Sequence, residues 1–160
     1  MLRPRFAVLM LALCLGVGHA HAKTLTGTAG KVFDGDTFIL EMEDGNQEPR
    51  IRLWGIDAPE SSQAYGEEAG EALERALGDE EVRVEVIDRD QYGRIVGRVW
   101  VNGRCVNYWM VQAGHAWRYN QYNDDPRYLA AQRTAQNQNW GLWALPPELR
   151  MRPSDYRHSR

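Results

Sequence analysis

Short runs in which apolar residues alternate with polar ones are the feature that most restricts the fold of this chain. A period of two is typical of β-strands that bury one face. The alternation is clearest in Val82–Val86 and Ile95–Val101, and the turn-forming pair Asn102-Gly103 follows the second run. Three earlier runs have the composition of strands: Leu25–Phe33, Phe38–Leu40 and Arg50–Ile56. Five short strands separated by turns predict a small β-barrel or a β-sandwich.

Three other segments carry helical patterns. Glu67–Leu77 has apolar residues three and four positions apart, which is typical of an amphipathic helix. Val106–Ala113 is apolar and ends at a glycine. Pro126–Asn137 begins with proline at the first helical position, and Asp124 or Asp125 precedes it as an N-cap. Strands and helices mixed along one chain, with no internal repeat, predict a single α+β domain.

The N-terminus has the pattern of an export signal. Arg3 and Arg5 give it positive charge, Phe6–Gly18 is apolar, and Ala20-His21-Ala22 is a small-x-small cleavage site. The apolar stretch is shorter than the roughly 20 residues that a membrane span requires. A signal peptide is therefore favoured over a membrane anchor, and a bulky leucine before Cys14 disfavours a lipoprotein. These features predict an exported protein, periplasmic or secreted, without a membrane anchor.

Three parts of the chain follow from these patterns: a signal peptide at residues 1–22, a folded domain at 23–145 and a mobile tail, rich in Pro and Arg, at 146–160. Without the signal peptide, Cys105 is the remaining cysteine, so an intrachain disulfide is excluded. Its apolar neighbours favour a buried thiol over a nucleophile. His115 and His158 are the remaining histidines, and without a Cys/His cluster a zinc site is poorly supported.

The charge of the chain argues against a protein that coats nucleic acid. It has 19 Lys and Arg against 22 Asp and Glu, a formal net charge of −3, and loss of Arg3 and Arg5 with the signal makes it more acidic. Proteins that bind nucleic acid through long-range charge normally present a basic face. An enzyme that holds one phosphate with local groups is still compatible with this composition.

Four short pieces are candidates for one site. They are Asp34-Gly35-Asp36-Thr37, Arg52, Asp57-Ala58-Pro59-Glu60 and Tyr92-Gly93-Arg94. A hairpin through Asp44-Gly45-Asn46 would bring the acidic pieces together, and carboxylate oxygens are the ligands that calcium takes. Crowded carboxylates repel by about 4 kcal/mol per pair at ~4 Å and an effective dielectric near 20, so a cation or the arginines must offset them. Each piece alone is equally typical of an ordinary turn or a solvated strand; their order and spacing together indicate a site for phosphodiester cleavage.

With those pieces, the chain resembles the staphylococcal nuclease (thermonuclease) family, and the signal-like N-terminus is similar to that of an exported bacterial member. The resemblance covers roughly Leu25 to Trp143, and it is carried by these motifs: Val32-Phe33-Asp34-Gly35-Asp36-Thr37, Ile51-Arg52-Leu53-Trp54-Gly55-Ile56-Asp57-Ala58-Pro59-Glu60, Asp90-Gln91-Tyr92-Gly93-Arg94, Gly114-His115-Ala116-Trp117 and Gly141-Leu142-Trp143. It implies a five-stranded OB-fold barrel with three α-helices, an architecture that agrees with the order of strands and helices.

The resemblance also implies a calcium site. Asp36 and Asp57 match the two carboxylate ligands, and Ala58 matches a ligand that acts through its backbone carbonyl. Asp34 matches a supporting acid near the metal. Calcium is the one cofactor expected.

Catalytic and substrate-binding residues are implied in the same way. Glu60 matches the acid that orients or deprotonates the attacking water, and Arg52 and Arg94 match the arginines that hold the scissile phosphate. The tyrosines that match the nucleotide pocket are Tyr92, Tyr119 and Tyr122. One departure adjoins these residues, because Gln91 lies where the staphylococcal enzyme has a lysine.

The activity implied is calcium-dependent endonucleolytic hydrolysis of DNA and RNA that leaves 3′-phosphate ends. Tyrosines that stack on any base favour little sequence specificity. The expected protein is a monomer without a protein partner. Two alternatives are a non-catalytic OB-fold module that binds nucleic acid, and a calcium-binding structural protein. A non-catalytic binding module would leave the acidic residues without a role. A calcium-binding structural protein would leave Arg52 and Arg94 without one.

Overall fold

The computed structural model describes residues 23–43, 45 and 47–159. The predicted signal peptide and the turn residues Asp44 and Asn46 lie outside the described residues. The strands are β1 Thr24–Asp34, β2 Thr37–Met42, β3 Arg50–Leu53, β4 Ile56–Asp57, β5 Val82–Arg89, β6 Ile95–Val101, β7 Arg104–Cys105 and β8 Trp117–Arg118. The helices are α1 Gly66–Leu77, α2 Val106–Gln112, α3 Pro126–Gln138 and α4 Pro153–His158, with 3₁₀ turns at Gly141–Ala144 and Pro147–Leu149.

Within the described part of the chain, five strands form a closed barrel. Antiparallel pairing runs in the order β3-β2-β1-β5-β6, and a parallel pairing of β3 with β6 closes the circle. In that last pair, Ile51 lies opposite Ile95 and Arg52 opposite Val96. This arrangement is an OB-fold barrel in an α+β domain, which confirms the predicted fold class and decides between the barrel and the sandwich.

The interior of the barrel follows from the alternation seen in the sequence. Ile51 and Leu53 of β3 are fully buried, whereas Arg52 between them faces outward and is half-buried. Phe38 and Leu40 of β2 line the same core. Because alternate residues of a strand point to opposite faces, one short strand supplies the core and also places a guanidinium on the outer surface.

The three predicted helices are present within a few residues of their expected bounds. α1 packs its Ala69, Ala72, Leu73, Ala76 and Leu77 face against the barrel. α3 begins as expected, since the Asp125 carboxylate accepts a hydrogen bond from the Arg127 backbone N–H and Pro126 is its first residue. None of the helices among residues 23–43, 45 and 47–159 is long and apolar enough to cross a bilayer.

The C-terminal region differs from the sequence prediction. Residues 146–160 were expected to be a mobile tail, but they include the 3₁₀ turn Pro147–Leu149 and helix α4, and Pro153 is buried. A helix of six residues is too short to show a clear periodic pattern in the sequence, and it is not stable alone in water. Contacts with the rest of the domain stabilise it instead: the Gln63 side-chain N–H donates to the Met151 carbonyl at 2.6 Å.

Candidate active site

The turn between β1 and β2 presents Asp36 to the interior of the site. Asp34 begins the turn by accepting the Asp36 backbone N–H at 2.9 Å on its Oδ1. Gly35 is required because an added Cβ would lie 2.7 Å from the Ala69 Cβ and 2.8 Å from the Ala58 Cβ. The turn can therefore pack closely against α1 and against the segment after β4.

Asp36 joins the separate pieces of the predicted site. Its Oδ1 accepts a hydrogen bond from the Thr37 hydroxyl at 3.0 Å, and its Oδ2 accepts the Ala58 backbone N–H at 2.7 Å. Arg52 Nη1 lies 2.8 Å from the same Oδ2, and Arg52 Nη2 lies 3.1 Å from Asp57 Oδ1. The guanidinium fork of Arg52 thus bridges the two predicted calcium ligands.

Strand register explains how distant residues meet at this point. β2 and β3 pair so that Thr37, next to Asp36, lies opposite Arg52. Asp57 ends β4, which pairs with β8 so that Asp57 lies opposite Trp117. The hairpin and the short second sheet therefore hold the three charged residues together.

Burial makes this cluster electrostatically demanding. Asp36 and Asp57 are only 4% and 3% exposed. Burial, followed by repulsion from Asp36, raises the pKa of Asp34 to about 8. The same two effects raise the pKa of Asp57, while Arg52 and Arg157 oppose the increase. Asp34, Asp36 and Asp57 therefore lie close together, and a bound cation would offset the repulsion among them.

The donor set suits a hard cation, although the side chains are not arranged as a finished metal site. In the described ranges, no group of three or more His, Cys, Asp or Glu side chains is positioned to hold a metal ion. Asp36 and Asp57 are paired with Arg52 instead. All the available donors are oxygens, as calcium prefers. These residues fit a calcium ion.

Arg94 is held by a different partner from Arg52. It directly precedes Ile95, whose side chain faces the core, and the parallel register aligns Ile95 with Ile51 and Val96 with Arg52. Its Nε is 2.6 Å from Asp90 Oδ2. Burial opposes the effect, yet the hydrogen bonds from Arg94 lower the pKa of Asp90. Of the two predicted phosphate-binding arginines, the structure therefore pairs Arg52 with Asp36 and Asp57, and pairs Arg94 with Asp90.

Glu60 lies next to the cluster and contacts a residue that the sequence analysis did not identify. Arg157, from α4, has its Nη1 2.6 Å from Glu60 Oε1 and 3.2 Å from Asp57 Oδ1. Its Nη2 donates to both oxygens of Asp57, at 3.2 and 3.3 Å. The arginine content of the C-terminal segment was the available signal, but a tail without helix periodicity gave no reason to place Arg157 at the site.

The three predicted tyrosines differ in position. Tyr119 lines a cavity of about 270 Å³ that also borders Asp57, Arg118 and Arg152. Tyr122 contacts Tyr119 edge to face at 5.0 Å but is itself 64% exposed. Tyr92 is 75% exposed, and the Arg94 guanidinium lies over the Tyr92 ring, 5.4 Å from the ring centroid. Of the three tyrosines, Tyr119 is the one that lines this cavity in the described structure.

Comparison with known proteins finds nucleases in each case reported below. The family model described as staphylococcal nuclease homologue matches residues 50–145. The chain is 43% identical over 126 residues to an uncharacterized endonuclease of Escherichia coli, covering 76% of this chain and 81% of that protein. An uncharacterized endonuclease of Haemophilus influenzae is 40% identical over 114 residues, 71% of this chain and 64% of its own. A probable staphylococcal-like nuclease of Oryza sativa, CAN2, is 39% identical over 112 residues, 69% of this chain and 30% of its own.

Proposed function

Because the chain belongs to the staphylococcal nuclease family and is a nuclease, we propose that it is an exported, calcium-dependent endonuclease that cleaves DNA and RNA with little sequence preference. The observation that carries the proposal is the buried cluster of Asp36, Arg52 and Asp57. Two almost fully buried carboxylates converge on the Arg52 guanidinium, and Asp34 lies beside them, hydrogen-bonded to the Asp36 backbone. This concentration of acidic groups exceeds what one structural ion pair requires. Oxygen ligands beside forked phosphate donors suit metal-assisted phosphodiester hydrolysis.

The cation site in this proposal uses Asp36 and Asp57 as carboxylate ligands, the Ala58 carbonyl as a neutral ligand and Asp34 as a supporting acid. A bound calcium ion supplies charge that polarises a phosphate oxygen and lowers the pKa of a water molecule. The convergence of Asp36 and Asp57 on the same Arg52 fork supports these assignments, because it brings the oxygen ligands that calcium prefers to one point.

Arg52 and Arg94 bind the scissile phosphate. Arg52 is already oriented by its two carboxylate partners, and its fork can donate two hydrogen bonds to phosphoryl oxygens. Arg94 directly precedes β6, the strand that pairs with β3, and this position next to the strand that carries Arg52 supports its assignment. These donors stabilise the charge that builds up on the phosphoryl group in the transition state.

Glu60 holds the attacking water in line with the bond to be broken, either as general base or by hydrogen bonding. Attack on phosphorus breaks the bond to the 5′-oxygen, which takes a proton as it leaves, and the phosphate stays on the 3′-oxygen. Tyr119, at the cavity beside Asp57, is suited to stack on a base without reading its identity. This stacking supports action on both DNA and RNA.

The test is a cleavage assay on plasmid and single-stranded DNA and RNA, with calcium and then with chelator. We expect calcium-dependent nicking that is lost in Arg52→Ala and Glu60→Ala and retained in the control Arg133→Ala, whose side chain is exposed on α3. End-labelling of the products should show 3′-phosphates. Folded wild-type protein that binds DNA and cuts none with any divalent ion would instead support the non-catalytic binding module.

A further inference from the structure

The C-terminal segment, residues 151–159, brings an additional guanidinium to the proposed catalytic carboxylates. Arg157 contacts Glu60 at 2.6 Å and both oxygens of Asp57 at 3.2–3.3 Å. Burial opposes the effect, but hydrogen bonds to Glu60 and Asp57 raise the pKa of Arg157 above its ordinary value, so the side chain is a permanent cation. It is paired with one proposed metal ligand and with the proposed water-binding acid.

Other contacts hold the C-terminal segment in this position. The Tyr156 hydroxyl donates to the Ser62 carbonyl at 3.1 Å, and the Gln63 side chain donates to the Met151 carbonyl at 2.6 Å. Arg152 lies over the Trp117 ring at 5.0 Å. The segment therefore packs on the loop that follows Glu60 and on β8, two elements that flank Asp57.

The position of Arg157 conflicts with the proposed chemistry. Asp57 and Glu60 must face a divalent cation and a water molecule during hydrolysis, yet here they face a guanidinium. A guanidinium and a divalent cation bound to the same carboxylate repel each other, and the repulsion is stronger where the carboxylate is buried. Arg157 is 40% exposed in its side chain, so it can leave Asp57 for solvent at little cost in packing.

We propose that Arg157 competes with the divalent cation for Asp57 and Glu60, and that cation binding displaces the C-terminal segment from these carboxylates. The inference rests on the proposed calcium dependence of the nuclease. The segment would then act as an intramolecular inhibitor, because it opposes binding of the cation that the enzyme needs. The segment also forms one wall of the cavity beside Asp57, through Arg152 and Ser154, so its release would widen the cleft for a nucleic-acid strand.

Calcium titration of the purified protein by isothermal calorimetry, without nucleic acid, tests the proposal. We expect Arg157→Gln to bind calcium about tenfold more tightly than wild type, a change that corresponds to about 1.4 kcal/mol. Arg133→Gln removes the same charge from an exposed position on α3 and should leave the affinity close to that of wild type. Circular dichroism establishes that each variant is folded.

Hydrogen exchange of the wild-type protein is the second measurement. Added calcium should speed exchange of the backbone amides of α4. Equal or weaker calcium binding by folded Arg157→Gln, or unchanged exchange in α4 at saturating calcium, would overturn the inference and leave the proposed nuclease intact. If neither wild type nor either variant binds calcium, the proposed cation dependence fails, and the inference fails with it.

Discussion

Arg52 is the residue at which fold and chemistry are most closely linked. It lies between two fully buried core residues of β3, and its fork pairs with Asp36 at 2.8 Å and Asp57 at 3.1 Å. A single positive charge is not an equivalent replacement, because the ammonium group of lysine lacks the planar fork that spans two oxygens.

Arg52→Lys should therefore lose most activity while keeping the fold. We expect kcat to fall by about 100-fold, the usual effect of losing one donor to a developing charge. The measurement is the rate of plasmid nicking at saturating calcium, together with the thermal midpoint. Arg50→Lys, at an exposed position on the same strand, is the matched control and should cleave at the wild-type rate. Similar rates for the two variants would refute a bidentate role for Arg52.

His115 provides a pH-dependent term in stability. Burial, assisted by the charge of Arg75, lowers its pKa to about 4, and its Nδ1 lies 3.0 Å from the Tyr65 hydroxyl. The ring stacks on Tyr65 with a centroid distance of 6.1 Å. The unfolded chain, with its histidine pKa near 6.5, binds a proton more readily than the folded protein does. This difference removes stability as the pH falls from about 6.5 towards 4.

His115→Gln should make the free energy of unfolding less dependent on pH over that interval. The variant is expected to be less stable than wild type near neutrality, because it loses the ring contacts, and the gap should narrow as the pH falls. Urea unfolding at several pH values between 4 and 7 measures both slopes. A gap that stays constant across the interval would show that His115 does not titrate as described.

At the scale of elements, the β1–β2 turn depends on close approach to α1. An added methyl group at Gly35 would lie within 3 Å of Ala69 and Ala58. One at Gly70 of α1 would lie 3.9 Å from the Asp34 backbone, its nearest neighbour outside its own helix among the described residues. Both positions are glycines in contacting elements, so they form a natural pair for comparison.

Gly35→Ala should destabilise the protein by about 1–3 kcal/mol, the usual cost of overpacking, and should reduce cleavage because Asp36 moves with the turn. Gly70→Ala should be neutral or stabilising by up to about 1 kcal/mol, since alanine is the better helix former. Thermal unfolding and plasmid nicking measure the two effects. If Gly35→Ala proves as stable and active as Gly70→Ala, the close packing of this turn is not needed for the site.

The sequence predicts these elements unequally, for physical reasons. Alternation predicted β5 and β6 most clearly, because a strand that buries one face must alternate, and strand-like composition predicted the three earlier strands. Pairing of β3 with β6 joins segments about 40 residues apart, which no local pattern encodes. Helix α4 has six residues and depends on contacts with the loop after Glu60, so its own residues signal it weakly. The positions of Asp36, Arg52 and Asp57 followed from motif order, whereas that of Arg157 required the tertiary contacts.

At the scale of the whole molecule, an acidic chain with local cationic groups suits an enzyme that works on one phosphate at a time. The formal net charge is −3, and the described arginines of the site are engaged with carboxylates. Long-range attraction to a polyanion is therefore weak, and binding depends on short-range contacts in the cleft.

The N-terminal pattern predicts that the protein is exported. Expressed with its full sequence in a Gram-negative host, the protein should be recovered outside the cytoplasm with Lys23 as its first residue, because the small-x-small motif ends at Ala22. Cell fractionation and intact mass spectrometry provide the measurement. Replacing Ala20 and Ala22 by leucine should block processing, and recovery of the unprocessed wild-type chain in the cytoplasm would contradict export.

Closure of the barrel through β3 and β6 has a further consequence for how activity is lost. The two strands that complete the barrel are also the ones that position the two proposed phosphate-binding arginines, because Arg52 lies on β3 and Arg94 directly precedes β6. Local melting that parts these strands would separate the two guanidinium groups while most secondary structure persists. The cleavage rate should therefore fall on heating before the far-ultraviolet circular dichroism changes. Loss of activity would then report separation of β3 from β6 earlier than loss of secondary structure does.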